Sequence, residues 1–587
     1  MNARSFRMVG GLILAVVALG LMASSAIARE ISAFPAPHTR VASKSTTLSF
    51  RGLKPGELKK LVVIGSKTGR HRGKLRKHTG GHGVSFIPNK EFAINEVVRV
   101  KTNLDVRLGN GHGYWFKIGN FRTKAKKAPT GIPQEGEIPP DAVTFRTRPN
   151  FKVPRVTIDT PAAAGTAPGY VFMAPKADGP MILDNEGNLI WYRKAETADF
   201  RVQRWKGQPV LTWWQGPFRS NGVTQGTYLL LNRRYEVIKR VRAGNGYSGD
   251  LHSFKLTNRG TALLSTYKAV KKDLRPYGGP QNGTVLDSIA QEVDLRTNLV
   301  IWEWHSLGNI PLSDSMVPAP ETPEGAWDYF HINSISSDSD GNLIVSGRNT
   351  SAAYRISRKN GKVLWRLGGK RSSFKKVGEG TNTAWQHDAE RQSNGEISIF
   401  DNGAAPPLHK VSRALFLRLG KNRTVEVVRQ YTHPKKLLAN SQGNVQLLPN
   451  GNVFVGWGSE PYFTEFAPGG EVLFDAHFAA HNSSYRSFRF PWEGRPSEPP
   501  AIASEAQPGG TVKAWASWNG DTRVATWQLL AGPSADALAV VGSAPRDGFE
   551  TEVTATSAGP FVAMQGLDAN GAVLGTTVVT QIGEQAK

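Results

Sequence analysis

The stretch from Asp328 to Gly403 states one phrase twice, which limits the chain to a fold made by copying a unit. The first copy runs His331-Ile332-Asn333-Ser334-Ile335, then Asp340-Gly341-Asn342, then Leu343-Ile344-Val345-Ser346. The second runs His387-Asp388-Ala389-Glu390-Arg391, then Asn394-Gly395-Glu396, then Ile397-Ser398-Ile399-Phe400. Each is a strand opened by histidine, a tight Gly-containing turn and a second apolar strand, the sequence form of a β-hairpin. Looser copies begin near residues 170, 203, 252 and 444, for example His252-Ser253-Phe254 before Asn258-Arg259-Gly260 and Leu263-Leu264-Ser265. Most units carry a second hairpin further on, such as Ala353–Ile356 to Val363–Trp365. Two hairpins make a four-stranded sheet, and six such sheets arrayed radially make a six-bladed β-propeller, which removes exposed edges by closing on itself.

At 587 residues the chain exceeds what one core fills. Arg4 and Arg7, an apolar run from Met8 to Met22 and an Ala26-Ile27-Ala28 site read as a secretory signal over residues 1–28, cleaved after Ala28; the other reading is a retained anchor. Residues 30–125 alternate short apolar runs with turns and predict a small antiparallel β-domain, with His71, His78, His82 and His112 on its surface. Residues 126–165 open Lys-, Pro- and Gly-rich, a linker or extended wrap. The propeller spans 166–494, and its insert before His331, with Pro311, Pro318, Pro320 and Pro323, predicts a loop over one face. From 496 to 587 acids outnumber bases, and alternation such as Val512–Trp518 predicts a C-terminal β-sandwich of fibronectin-like type. The expected fold class is therefore all-β throughout.

With no cysteine, the chain has no disulfide framework, thiol nucleophile or zinc–thiolate site. The net charge of +26 suits an anionic surface polymer, a merely solubilising secreted surface, or a field that funnels an anionic substrate. No nucleic-acid recognition module is visible, and after signal cleavage no apolar run is long enough to span a membrane.

In a propeller the first strand of each blade lines the central channel. That position holds His252, His331 and His387, so residues distant in sequence converge. Gln203 or Arg204, and Asn444 with Gln446, stand at the corresponding places in other units. Strand alternation puts Asn333 on the face of His331, and Arg348 follows the next strand near the channel mouth. Three histidines can also bind zinc or copper, but an arginine repels a cation and no carboxylate stands where it would offset that charge. A lone channel histidine is as readily structural. Together these residues suit a tetrahedral oxyanion, held by Arg348, Asn333 and two imidazoles while the third attacks as a neutral nucleophile. No metal or cofactor is implied.

Four segments carry a family resemblance: His331–Ser334, Gly347-Arg348-Asn349-Thr350-Ser351, Val363–Gly369 and Trp385-Gln386-His387-Asp388-Ala389. They resemble the bacterial arylsulfotransferases, in the branch with an N-terminal β-domain and a C-terminal sandwich. The resemblance covers roughly residues 170–490. It implies a six-bladed propeller that moves a sulfuryl group from an aryl sulfate to a phenol through a sulfohistidine, without the nucleotide sulfate donor. By motif, His387 is then the nucleophile and His331 the acid/base on the phenolic oxygen, while Arg348, Asn333 and His252 hold sulfuryl oxygens. The absence of a G-x-x-x-x-G-K-[ST] loop agrees with a non-nucleotide donor. Unlike members of the other branch, this chain has no disulfide near the site. The aromatic residues that would take the phenol do not transfer by motif; Trp213, Trp214, Phe218, Trp327, Tyr329, Trp385 and Trp457 are candidates. Two other functions fit the same features: a non-catalytic propeller binding an anionic cell-wall glycan or a protein partner, and a sulfatase in which water replaces the phenol.

Overall fold

The computed structural model describes residues 30–121, 142–175, 178–218, 223–479 and 482–584. The signal segment, and the part of the linker stretch from 126 to 141, lie outside the described residues. Every sheet but two short parallel additions is antiparallel, and the only helical elements among the described residues are short 3-10 turns.

Between residues 170 and 490 six sheets follow one another. The second holds Thr197–Trp205, Gln208–Gln215, Thr227–Leu231 and Val237–Val241. The third starts at Phe254–Leu256, the fourth at Ile332–Ser337, the fifth at His387–Arg391 and the sixth at Asn444–Leu447. Their hairpins close where the sequence placed them: Gly341 (φ 83) and Gly395 (φ 88) take left-handed backbone at equivalent turns, a conformation that costs glycine nothing. The first sheet is different. Its strands Tyr170–Pro175, Met181–Leu183 and Leu189–Tyr192 are completed by Ser484–Phe490 from the far end of the series, paired antiparallel to Tyr170–Pro175.

That closing strand corrects the sequence expectation that each unit's own first strand lines the channel. The strand of the first sheet that touches Thr197–Trp205 on one side and Asn444–Leu447 on the other is Ser484–Phe490. Going round, the first strands of the second to sixth sheets each touch the next, so six strands form a closed, propeller-like ring. Neighbouring members of this ring belong to different sheets and share no ladder, so their polar groups need other partners. Side chains supply many of them. Gln203 donates to the Phe254 carbonyl and accepts from the Leu256 amide. Ser334 accepts from the Ala389 amide. Asn444 binds the Ser487 carbonyl and amide, and Gln446 those of Arg489.

Apolar clusters fill the gaps between sheets. One joins Trp191, Trp213, Phe200 and Tyr235, with Trp191 stacked on Tyr235 at 4.9 Å between ring centres. The N-terminal region forms two four-stranded sheets, and its core runs on into the third and fourth sheets through Phe34, Trp302 and Trp304. Two of its histidines are not on the surface as expected. His71 packs on Phe92, and His78 is buried against Ser85, where desolvation and the charge of Arg51 push its imidazole down to about 4. In the linker stretch, Val156–Thr160 pairs with Val472–Phe478 and adds a fifth strand to the sixth sheet. From Ala501 onward two further sheets share a core of Val512, Trp527, Leu529, Val562 and Met564.

Candidate active site

The ring brings His252, His331 and His387 together, with Tyr485 between them. The Tyr485 ring centre lies 5.6 Å from that of His252 and 6.5 Å from that of His387. The loops that deliver these residues are strained. His331 (φ 54), Trp385 (φ 57), Asp388 (φ 52) and Gln442 (φ 68) all have left-handed backbone. Non-glycine residues hold that conformation only where the surroundings enforce it, and such positions gather at functional sites.

His387 is buried, and its Nδ1 lies 2.7 Å from Asn402 Oδ1. The Asn402 amide nitrogen already donates to the carbonyls of Ala439 and Gln442, so its oxygen can only accept. His387 therefore carries its proton on Nδ1 and presents a bare lone pair at Nε2. The backbone N–H of Gln442 approaches that lone pair at 3.2 Å. Desolvation, and next the charge of Arg348, push the His387 imidazole well below its usual range, against the pull of Asn402. It is a neutral base at neutral pH, the form in which an imidazole is a nucleophile.

His252 and His331 meet edge on, Nε2 to Nε2 at 3.1 Å. Each holds a carboxylate on its other nitrogen: Asp250 on His252 and Asp328 on His331. This corrects the expectation that no carboxylate serves the cluster. The signal was present as an acid two residues before His252 and three before His331; alternation would turn only the second away, and the loops bring both to Nδ1. Desolvation lowers His331 more than Asp328 raises it, and the charges of His252 and Arg348 add to the lowering.

Arg348 lies over Trp385, 5.2 Å from its ring centre, and spends two of its nitrogens on Asn349 and the Asn440 carbonyl. Desolvation lowers its guanidinium, and Asp328 works against that. Asn333 donates to the carbonyl of Gln386, the residue before His387, and its buried Oδ1 has no partner. Strict alternation between His331 and Asn333 does not hold, because His331 is left-handed and the pairing slips between Ile332 and Ser334. Asn333 is also one of the side chains that bridge adjacent ring strands.

The sequence reading missed Asp250, Asp328, Asn402, Tyr267, Tyr485 and Arg486. Tyr267 packs edge-on to His252 and tilted against His331, with ring centres 6.0 and 5.9 Å away. Arg486 lies in the ring interior, where it pairs with Asp199 and Asp388 and donates to the Asn333 carbonyl. Asp388 thus turns to Arg486, not to the histidines. Of the aromatic candidates, Trp385 adjoins the site beneath Arg348, while Trp213, Trp214 and Trp457 are buried between sheets.

Residues 201–479 match the sequence model of the family described as arylsulfotransferase (ASST). No curated protein matches the chain. Among solved structures, a Bacteroides caccae protein of unknown function aligns at 13% identity over 55% of this chain and 98% of its own, with a TM-score of 0.35. A catalytically inactive virginiamycin B lyase from Staphylococcus aureus, solved with quinupristin, aligns at 8% identity over 62% and 97%, with a TM-score of 0.28. An auxiliary nutrient binding protein from Bacteroides thetaiotaomicron aligns at 9% over 79% and 91%, with a TM-score of 0.27. Likeness at this level carries no argument about what this chain does.

Proposed function

Residues 201–479 being an arylsulfotransferase-family domain, we propose that the protein moves a sulfuryl group from an aryl sulfate ester to a phenol through a sulfohistidine at His387. One observation carries this reading. Asn402 fixes the His387 proton on Nδ1, leaving a neutral, buried Nε2 lone pair within the field of Arg348. Attack on sulfur needs that lone pair, and the sulfate oxygens need the positive charge beside it. Arg348 and the second N–H of Asn333 hold sulfuryl oxygens, and His331 handles the proton of the aryl oxygen. The Gln442 N–H that covers Nε2 is given up when the donor binds.

In this reading the six serial sheets are the blades of a six-bladed propeller over residues 166–494. Residues 30–125 and 496–587 are β-domains, the first sharing its core with the propeller and the second a fibronectin-like sandwich, and residues 126–165 connect the first to the propeller. The protein is exported by the signal at residues 1–28 and acts outside the cell, where its positive charge draws in anionic esters and favours an anionic cell-surface polymer. Among the described residues no helix is long and apolar enough to cross a membrane.

The test is incubation with 4-nitrophenyl sulfate and a phenol acceptor. The reading expects nitrophenol release that depends on the acceptor, formation of the acceptor's sulfate ester, and loss of both in His387→Asn. Release independent of the acceptor, with free sulfate as product, would mean hydrolysis instead.

A further inference from the structure

Asp250 takes four donors on one buried carboxyl. Its Oδ1 accepts from the backbone N–H and the Nδ1 of His252, and its Oδ2 from the amide and hydroxyl of Thr224 at 2.8 and 2.9 Å. Burial raises this carboxyl, but the charge of His252 and these hydrogen bonds more than reverse that, so it stays ionised. With every contact to Asp250 a donor, His252 Nδ1 carries a proton. Asp328 Oδ2 takes the Nδ1 of His331 in the same way. Two neutral rings would then press bare lone pairs together at 3.1 Å, and two imidazoliums would press N–H groups together. One proton between the two Nε2 atoms removes both conflicts.

We propose that His252 and His331 hold a single proton between them, oriented by Asp250 and Asp328 as positioning residues, and that this unit serves both halves of the transfer. In the first half the His387 Nε2 lone pair forms an N–S bond. The S–O bond to the aryl group breaks with its electron pair on oxygen. The shared proton passes to that oxygen, both rings become neutral, and the phenol departs. In the second half the acceptor phenol returns its proton to the pair as its oxygen bonds sulfur, and the N–S electron pair returns to His387. The proposal makes His252 the proton partner of His331 instead of a sulfuryl ligand. The transfer role rests on the function proposed above; the shared proton does not.

The groups facing the pair leave it as the proton carrier. Tyr267 donates to the Ile332 carbonyl, and Tyr485 to the carbonyls of His252 and Asn333. Burial pushes both phenols far above their usual range, so both stay protonated. His387 is neutral and Arg348 is a fixed cation. Among the described residues no group of three or more His, Cys, Asp or Glu is arranged to hold a metal ion.

The test compares donors whose leaving oxygens need the proton to different degrees. 4-Nitrophenolate leaves unaided, whereas the phenolate of phenyl sulfate needs the proton. Asp328→Asn keeps an acceptor at Nδ1 but removes the charge, and the oxygen it replaces has no partner to lose. In kcat/KM for the donor, which reports the first half alone, the variant is expected to lose about 100-fold or more on phenyl sulfate, the usual scale of general acid catalysis, and at least about tenfold less on 4-nitrophenyl sulfate. Equal losses on both donors, or no loss on either, overturn the proposal. Histidine nitrogen NMR of the unliganded protein reads the unit without catalysis. It expects protonated Nδ1 on both rings and one Nε2 proton lost from the pair in a single step as pH rises. Two independent titrations, or a stoichiometric metal ion in the purified protein, overturn it. If the parent transfers no sulfuryl group at all, the proposed function falls while the NMR result still decides the shared proton.

Discussion

Asn402 Oδ1 accepts the Nδ1 proton of His387 at 2.7 Å, and no carboxylate stands in its place, whereas His252 and His331 each have one. An uncharged partner fixes the tautomer and pulls toward imidazolium less than burial and Arg348 push the other way. Burial and Arg348 are then free to hold His387 in its neutral form.

Asn402→Asp therefore reverses the design. A carboxylate at Nδ1 favours the charged ring and raises its pKa by about 1–3 units. Because burial and Arg348 lower the parent's imidazole, any acid limb His387 gives kcat/KM lies on the acid side of the usual histidine range. The variant's acid limb is expected at higher pH than the parent's, seen by measuring kcat/KM against pH with 4-nitrophenyl sulfate; coincident limbs would contradict this role for Asn402.

Gln446 bridges ring strands through two hydrogen bonds to Arg489 and Asn333 through one to Gln386, but only Asn333 adjoins His387. Replacing either with Ala removes bridging hydrogen bonds and is expected to cost about 1–3 kcal/mol, because buried partners are left unpaired. Thermal melting should register both losses. Only Asn333→Ala should also lower kcat, and equal kcat losses in the two variants would assign Asn333 to the scaffold alone.

Much of the architecture was legible in the sequence because turn glycines and apolar alternation are local signals, and both recur at His331 and His387. The closing strand was not legible, since nothing within Tyr170–Tyr192 indicates that Ser484–Phe490 will complete that sheet. Tyr485 and Arg486 were missed for that reason. The site's histidines could be read from their shared position in the repeat. Their partners could not, because Asp250 and Asp328 lie in loops before the strands, where strand periodicity gives no direction, and Asn402 lies across a hairpin from His387.

Arg486 pins the ring from within, its guanidinium shared by Asp199 of the second sheet and Asp388 of the fifth. Burial would lower it, but the two carboxylates hold it above its usual value. Arg486→Met leaves the buried Asp388 without a counter-charge and Asp199 with Arg201 alone, and is expected to cost on the order of 3–5 kcal/mol. Adding Asp199→Asn and Asp388→Asn should restore part of that loss in denaturant unfolding. No recovery would show that packing of the arginine, not its charge, is what matters.

His305 is a second buried imidazole, held between Asp287 and Glu303. Burial lowers it, but the two acids outweigh burial and push it up to about 10. Its folded pKa lies above its unfolded value of 6.5, so its contribution to stability is full below pH 6.5 and is lost as pH rises through 10. The parent's melting temperature should carry a component that falls over that window. His305→Leu should remove that component and cost on the order of 3–5 kcal/mol at pH 6.

The central claim is that His387 takes the sulfuryl group, and peptide-resolved mass spectrometry after exposure to an aryl sulfate without acceptor measures this directly. The account predicts a gain of one sulfuryl group on the peptide containing His387, discharged when a phenol is added and missing in His387→Asn. A sulfuryl group found on His252 or His331, or none on the protein while transfer proceeds, would contradict it.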